Sequence, residues 1–249
     1  KDKVEVKLIL PPGIEPHSYD PTPKDIAEIN SSDIFIYTGD NMEPWVAKVL
    51  NSLDNKNLKI IDVSQGITLL EEKEDHDHEA HEEHDKNHED HEDGHEHTGK
   101  DPHIWTDPIL AKTIVENIYN GLIEKDSINK DFYTSNKVEY IKKLDDLDNK
   151  FKDLALHSKT KEIISGGHFV FGYPFKRYGF EYHSVYDGFS PNAEPTPKQM
   201  KQLRDTIKET NAKYVYYEEL IDPKLANLLA KEFFLKTLKI SLEAFRNTI

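Results

Sequence analysis

One thirty-residue run limits what this chain can fold into more than any other feature. Residues 71–100, EEKEDHDHEAHEEHDKNHEDHEDGHEHTGK, hold eight of the thirteen histidines and fourteen acidic residues, and they show no apolar period. A segment with so few apolar side chains cannot bury enough surface to offset the entropy lost on ordering. We therefore predict a mobile loop here, and a core built by the residues on either side.

Strand and helix patterns alternate on both sides of this run. Before it, strands are predicted at 4–10 (VEVKLIL), 34–38 and 58–63, with helices starting at Thr22-Pro23 and spanning 44–53. After it come a helix at 108–122, strands around 162–165, 180–186 and 212–219, and helix starts at 195–199 and 222–223. This alternation is typical of parallel α/β units.

A long helix is predicted from Asp131 to His157. Its apolar stripe has three- and four-residue spacing and consists of Ile141, Leu144, Leu147, Phe151 and Leu154. A helix of this length spans about 40 Å, which suits a strut between two lobes. We expect an N-terminal lobe at 1–126 that includes the loop 71–100, a linker helix at 127–157, and a C-terminal lobe at 158–249. PTPK occurs at 21–24 and 195–198, which suggests similar lobes unless Thr-Pro is simply a good helix start.

Charge and composition exclude several classes of protein. The run carries −11 of the formal net charge of −15, which leaves −4 for the rest, and a mildly acidic body argues against nucleic-acid binding. No apolar stretch approaches the roughly 18 residues of a spanning helix. The absence of cysteine excludes disulfides and thiolate metal sites, and it is compatible with an extracytoplasmic bacterial protein. Because the chain starts at Lys1 without a visible signal peptide, we expect a processed or trimmed chain.

Three of the five histidines outside the run lie where a ligand is expected. His17 follows the first predicted strand, His168 follows IIS and two glycines, and His103 lies between two Asp-Pro turns. The carboxyl ends of strands form the ligand crevice of open α/β sheets, and neutral imidazoles suit zinc. Three nitrogens leave a fourth position for a carboxylate or water. A single loop histidine is more often a surface residue, so the three gain weight only from their surroundings.

Those surroundings resemble a known family. The segments PPGIEPHSYDPTPKDI, GDNMEPWV, DPHIWTDP, ISGGHFVFGYPFKRYGF and SPNAEPTPKQM look like the motif set of the solute-binding proteins of zinc and manganese ABC transporters, in that family's order. The zinc-uptake members are the most similar. The resemblance runs from residue 1 to about 232.

The resemblance implies a fold, a site and a role. It implies two α/β lobes with mainly parallel sheets flanked by helices, joined by a long rigid helix, with the metal held between them by His17, His103 and His168. Manganese-selective relatives carry Glu at the third place, so His168 favours Zn²⁺, and Mn²⁺ is the second candidate. The expected role is capture of Zn²⁺ by a monomer in the periplasm or at the cell surface, with a lipid anchor before processing, and delivery to an ABC permease. It implies no catalysis.

Zinc-binding relatives often carry a loop rich in histidine and acid before DPHxW, the place that residues 71–100 occupy. We expect weak accessory metal sites there, because a mobile segment must order itself to bind. The histidines concerned are His76, His78, His81, His84, His88, His91, His95 and His97. The run could collect zinc, sense high zinc, or serve as a solvated acidic spacer.

The chain departs from the family pattern at both ends. Relatives usually have another strand and helix before DKVEVKLILPPG, and a strand, an acidic loop and a final helix after LANLLAKEF. Residues 234–249, FLKTLKISLEAFRNTI, resemble only that last helix. The family's fourth ligand comes from the missing stretch, so none is assigned. The alternatives are a hydrolytic zinc site, which no HExxH pair at the three histidines supports, and a surface adhesin or zinc-buffering protein.

Overall fold

The computed structural model describes residues 3–11, 14, 16–71, 99–167, 170–185, 195–218 and 222–240. Residues 72–98 of the predicted mobile loop 71–100, with all eight of its histidines, lie outside the described part of the chain. His168 also lies outside it.

The N-terminal unit is built on two parallel strands. Strand β1 (Ile34–Tyr37) pairs with β2 (Lys59–Asp62) from Ile34 opposite Lys59 to Tyr37 opposite Asp62, close to the predicted strands. Helix α1 (Pro23–Ser31) begins at a capping box in which Thr22 and Asp25 satisfy each other's backbone N–H groups. Helix α2 covers Val46–Leu50, which is shorter than the predicted 44–53. The core of this unit consists of Ile29, Phe35, Val46 and Val49.

The strand predicted at 4–10 is wrong. Residues 4–8 have no regular secondary structure and are not part of any described strand, and Val6 and Leu8 are 85% and 77% exposed. Ile9, on the opposite side of the predicted alternation, packs against the N-terminal core. Alternating side chains describe only one face of a strand, whereas a strand also needs a neighbour for its backbone hydrogen bonds. No described strand pairs with this segment.

Two helices connect the N-terminal unit to the rest of the molecule. Helix α3 (Pro108–Lys125) packs on β2 so closely that a Cβ at Gly121 would lie 2.1 Å from Ile61 Cδ1. Helix α4 (Lys130–His157) packs along α3 and agrees with the long helix predicted from the sequence. Leu144 and Leu147 of the predicted stripe are buried, but Leu154 is 55% exposed, so the stripe meets the core only in the middle of the helix.

The C-terminal unit also contains only parallel pairs among its described strands. Strand β3 (Glu162–Ile164) pairs with β4 (Glu181–His183), and β5 (Tyr214–Glu218) pairs with β6 (Lys236–Ile240). A parallel bridge from Ser165 to Tyr216 joins the two pairs in the order β4-β3-β5-β6. The helices are α5 (Gly172–Tyr178), α6 (Pro197–Thr210) and α7 (Lys224–Phe233). Their core consists of Ile164, Val185, Leu203, Ile207, Val215, Ala226 and Leu229.

Strand β6 corrects the expectation that residues 234–249 form only a final helix. Residues 236–240 lie beside β5 from Tyr214 opposite Lys236 to Glu218 opposite Ile240. The chain turns into this strand at Phe234, which has a positive φ of 57°. The edge of β5 offers backbone hydrogen bonds to KTLKI. These bonds stabilise a strand more than the weak helix propensity of KTLKI stabilises a helix. Residues 241–249 are not described.

The predicted fold class is confirmed: parallel α/β sheets flanked by helices, with a long helix between them. Within the described residues, no helix has the length and apolar character required to cross a membrane. The domain boundaries predicted from the sequence stay a prediction.

Candidate metal centre

His103 is held in a fixed orientation by the carboxylate two residues before it. Its backbone N–H donates to Asp101 Oδ1 over 2.9 Å, and its ring Nδ1 lies 2.7 Å from the same oxygen. Both residues are buried, with exposed fractions of 2% and 0%. When a carboxylate accepts the Nδ1–H proton, Nε2 of the neutral imidazole is the nitrogen that binds a metal. The Asp-x-His spacing of DPHIW thus orients His103 so that its Nε2 is available to bind a metal.

The structure brings His17 next to His103. His17 lies in a short 3-10 turn, Pro16–Ser18, and is half-buried. The centroids of the two imidazole rings are 5.6 Å apart, and the ring planes make an angle of 73°. Two imidazoles bound to one tetrahedral zinc through bonds of about 2 Å have centroids roughly 5 Å apart. The observed pair is therefore compatible with sharing one ion.

The third predicted ligand, His168, lies outside the described residues, but the chain on both sides of it is described. Before it, the backbone N–H of Gly166 donates to the Tyr216 carbonyl over 2.8 Å, which holds the end of β3 against β5. After it, Thr106 Oγ1 lies 3.1 Å from the Val170 carbonyl and 2.8 Å from the His103 carbonyl. This hydroxyl places the segment that follows His168 beside the segment that carries His103.

The start of α5 contacts Asp101 directly. Tyr173 Oη donates to the Asp101 carbonyl over 2.5 Å and accepts from the Leu70 N–H over 3.1 Å. A Cβ at Gly172 would lie only 2.7 Å from Asp101 Oδ2, so a larger residue would displace the carboxylate. Burial raises the pKa of the Tyr173 hydroxyl, which keeps it protonated as a donor. Sequence reasoning missed Asp101 and Tyr173, although both stand inside motifs that it quoted.

A second tie joins the same two segments. Arg177 Nε donates to Asp107 Oδ2 over 2.5 Å. The other oxygen of Asp107 accepts from the Ile109 and Leu110 N–H groups and so caps α3. Asp101 and Asp107 lie on either side of His103 in the chain, and each binds a residue of α5. These two contacts restrict the backbone around His103.

Glu43 is a half-buried carboxylate that sequence reasoning left without a role. Its two oxygens accept from the Thr38 N–H over 2.9 Å and from Thr38 Oγ1 over 3.2 Å, at the carboxyl end of β1. Burial raises its pKa from 4.5 to about 7, although these hydrogen bonds act in the opposite direction. The loop that Glu43 holds shares a small pocket with Pro102 and Ile104. The hydrogen bonds of Glu43 therefore fix the loop that lies beside Pro102 and Ile104, the two residues next to His103 in the chain.

A separate group of possible metal ligands lies on β3 and β4. In the described part of the chain, Glu162, Glu181 and His183 offer one ligand atom each, all within 4.8 Å of one another. His183 is the last residue of β4. His17 and His103 lie close to each other, and no third ligand-type side chain of the described residues joins them in such a group.

Two parallel α/β units connected through α3 and the long α4, with two imidazoles beside the segment that contacts α5, have the architecture of a two-lobed solute-binding protein. The model of one protein family, described as zinc-uptake complex component A, periplasmic (ZnuA), matches residues 1–244. The chain belongs to this family, as its motifs indicate.

Individual relatives agree with this assignment. The chain is 40% identical over 237 residues to the high-affinity zinc uptake system protein ZnuA of Bacillus subtilis, covering 95% of this chain and 71% of the relative. It is 35% identical over 240 residues to the zinc-binding lipoprotein AdcA of Streptococcus pneumoniae, covering 95% of this chain but 45% of that protein. The crystal structure of the metal-dependent lipoprotein YcdH of Bacillus subtilis superposes with a TM-score of 0.75 at 35% identity, covering 96% of this chain and 80% of that one.

Proposed function

We propose that this chain captures Zn²⁺ outside the cytoplasmic membrane through His17, His103 and His168 and delivers it to an ABC permease. The observation that carries the proposal is the pair of imidazoles 5.6 Å apart, one of them fixed by a buried carboxylate. Imidazole nitrogens suit zinc better than manganese, which prefers oxygen ligands. The ZnuA and AdcA relatives are named as zinc proteins, which also favours zinc over the manganese and adhesin alternatives.

The ligands come from both sides of the lobe contact. His17 and His103 belong to the proposed lobe 1–126, and His168 belongs to the proposed lobe 158–249. A metal bound to all three resists separation of the lobes, so binding and release are coupled to their contact. The linker proposed at 127–157 contains α4, which packs along α3. We expect small local rearrangements around the ligands rather than a wide hinge motion.

The proposal is for binding and transfer without turnover, by a monomer that does not bind nucleic acid. The net charge of −4 outside residues 71–100 supports the last point, because phosphate binding needs a basic surface. The names of the family and of the lipoprotein relative support a location in the periplasm or on the cell surface. A fourth protein ligand is not assigned.

Zinc titration against a competing chelator tests the ligand set. His17→Ala, His103→Ala and His168→Ala should each weaken the tight site about 100-fold or more, because three nitrogen ligands cooperate in one ion's coordination. His157→Ala is the matched control, since His157 lies at the exposed end of α4 beside Asp153. An equal loss of affinity in the control and in the ligand variants would refute the assignment.

Growth of a zinc-uptake mutant tests delivery separately from binding. The full chain, expressed with its cognate permease, should restore growth at limiting zinc, and the His103→Ala chain should not. A protein that only buffers zinc would bind the ion as tightly yet fail to restore growth.

A further inference from the structure

The cross-strand pair at the edge of the C-terminal sheet brings three ligand-type side chains to one face. Glu162 of β3 lies directly opposite Glu181 of β4, and His183 follows Glu181 by two residues. Side chains two residues apart project from the same face of a strand, as do directly paired residues. The ligand atoms of all three lie within 4.8 Å of one another.

The charges of this group favour a cation. Two carboxylates directly opposite each other on neighbouring strands repel. Glu162 is paired with His183, whose Nε2 lies 2.5 Å from Glu162 Oε2, but Glu181 forms no ion pair with any described residue. Lys161 does not neutralise the pair, because its Nζ binds the Ala155 carbonyl and lies over the Phe180 ring. The group therefore has two negative charges and one imidazole.

We infer that Glu162, Glu181 and His183 form a second, weaker Zn²⁺ site, distinct from the histidine centre described above. One imidazole and two carboxylates are a ligand set that zinc accepts, with the remaining position open to water. Ligands of one tetrahedral zinc lie roughly 3.3 Å apart, so the His183 and Glu162 side chains need to separate by less than about 1 Å. Their side chains are 30% and 33% exposed, so an ion can enter from solvent and leave readily.

The site has a defined place relative to the metal centre. Strand β3, which carries Glu162, continues through Ser165 and Gly166 towards His168, and Ser165 N–H donates to the His183 carbonyl over 2.8 Å. Zinc held between β3 and β4 would tie the strand that leads to the proposed third ligand to its neighbour β4. Occupancy at high zinc would therefore stabilise this part of the second lobe.

Chemical modification of the full chain tests the inference at single-residue resolution. Diethyl pyrocarbonate labels unligated imidazoles, and peptide mass spectrometry reports His183 separately from every other histidine. With zinc sulfate in excess over the tight site, labelling of His183 should slow about tenfold or more, while labelling of His157 stays unchanged. Calcium, which takes oxygen ligands, should not protect His183.

Glu181→Gln is the decisive variant, because Glu181 binds the ion in this proposal but does not contact His183 in its absence. It should raise the zinc concentration for half-protection about tenfold or more and leave labelling without zinc unchanged. Unaltered protection in Glu181→Gln, protection by calcium, or no protection of the unmodified chain would overturn the inference. His103→Ala should lose the tight site and keep the protection of His183, so failure of one proposal is distinguishable from failure of the other.

Discussion

Asp101 determines how His103 is presented, and its burial has a cost. One oxygen of its carboxylate holds both the backbone and the ring of His103, whereas the buried Oδ2 has no hydrogen-bond partner in the described residues. A buried charge that is only partly satisfied destabilises a protein without its compensating ligand. Selection for stability alone would not favour a buried carboxylate at Asp101. Selection for metal binding would, because a metal-binding imidazole is oriented by a carboxylate that accepts its other N–H.

Asp101→Asn should separate zinc affinity from stability. We expect the tight site to weaken about 10- to 100-fold, because the carboxylate that orients and polarises the imidazole is lost. The unfolding free energy of the metal-free protein should not fall, since a buried charge is removed. Competition with a zinc chelator and urea unfolding measure the two quantities, and Asp153→Asn beside the exposed His157 is the control. Unchanged zinc affinity in Asp101→Asn would contradict this role.

Glu43 should make stability depend on pH. Its pKa rises from 4.5 in the unfolded chain to about 7 in the fold, so the folded state retains a proton that the unfolded state loses. Stability should therefore fall as pH rises from about 4.5 to 7 and level off above 7, by up to about 3 kcal/mol. Glu43→Gln should flatten this dependence in urea unfolding at pH 5 and pH 8. The exposed Glu139→Gln on α4 should not, and identical pH profiles for both variants would contradict the assignment.

Among the elements, α5 contacts both aspartates that flank His103 in the chain. It starts at Gly172 and Tyr173, which contact Asp101, and it carries Arg177, which binds Asp107. The helix begins a few residues after His168, the proposed third ligand. It therefore connects His168 with Asp101, the carboxylate that orients His103. We regard α5 as the element that keeps the two lobes in register around the metal.

Tyr173→Phe tests this role of α5. Loss of its hydroxyl leaves the Asp101 carbonyl and the Leu70 N–H without their partner, which should cost about 1–3 kcal/mol of stability and weaken zinc binding. Tyr178→Phe is a matched control, because Tyr178 is also a buried tyrosine of α5 but its hydroxyl donates to Asp148 of α4 over 2.9 Å. Both variants should lose stability in urea unfolding, and only Tyr173→Phe should lose affinity. Equal zinc affinities would contradict the proposed link.

The sequence predicted those elements that have their own local signals. Both Thr-Pro starts form capping boxes with nearly equal N-cap angles: φ −74° and ψ 161° at Thr22, φ −74° and ψ 158° at Thr196. The strand at 4–10 and the helix after Phe234 were wrong because their state depends on a neighbouring strand. None of the described strands pairs with the segment around Val6, whereas β5 pairs with Lys236, and the side-chain pattern indicates neither fact.

For the whole molecule, the proximity of His17 and His103 follows from the motifs rather than from periodicity. The structure places His17 beside His103, as the EPH and DPHxW motifs imply, and it describes both flanks of His168. The contact of Asp101 with His103 spans only two positions, but the role of Tyr173 could not be predicted, because its hydrogen bond to the Asp101 carbonyl joins residues 72 positions apart. Such contacts depend on how the lobes pack, and no local pattern encodes them.

Deleting residues 74–98 should remove the weak zinc sites and leave one tight site. The two ends of the run lie side by side, with Glu71 bridged to Lys100 and the Asp101 N–H donating to the Leu70 carbonyl over 2.8 Å. A short connection can therefore replace the run without moving Asp101 or His103. Calorimetric titration counts the sites before and after deletion. Loss of tight binding would show that the run holds the principal site.

The most direct test of the central claim is a crystal structure of the zinc-loaded full chain, with anomalous data collected on both sides of the zinc absorption edge. We expect the strongest zinc peak within bonding distance of His17 and His103, with His168 as the third protein ligand. A weaker peak at Glu162, Glu181 and His183 is expected only at high zinc. A strongest peak elsewhere, with His17 and His103 unligated, would contradict the account.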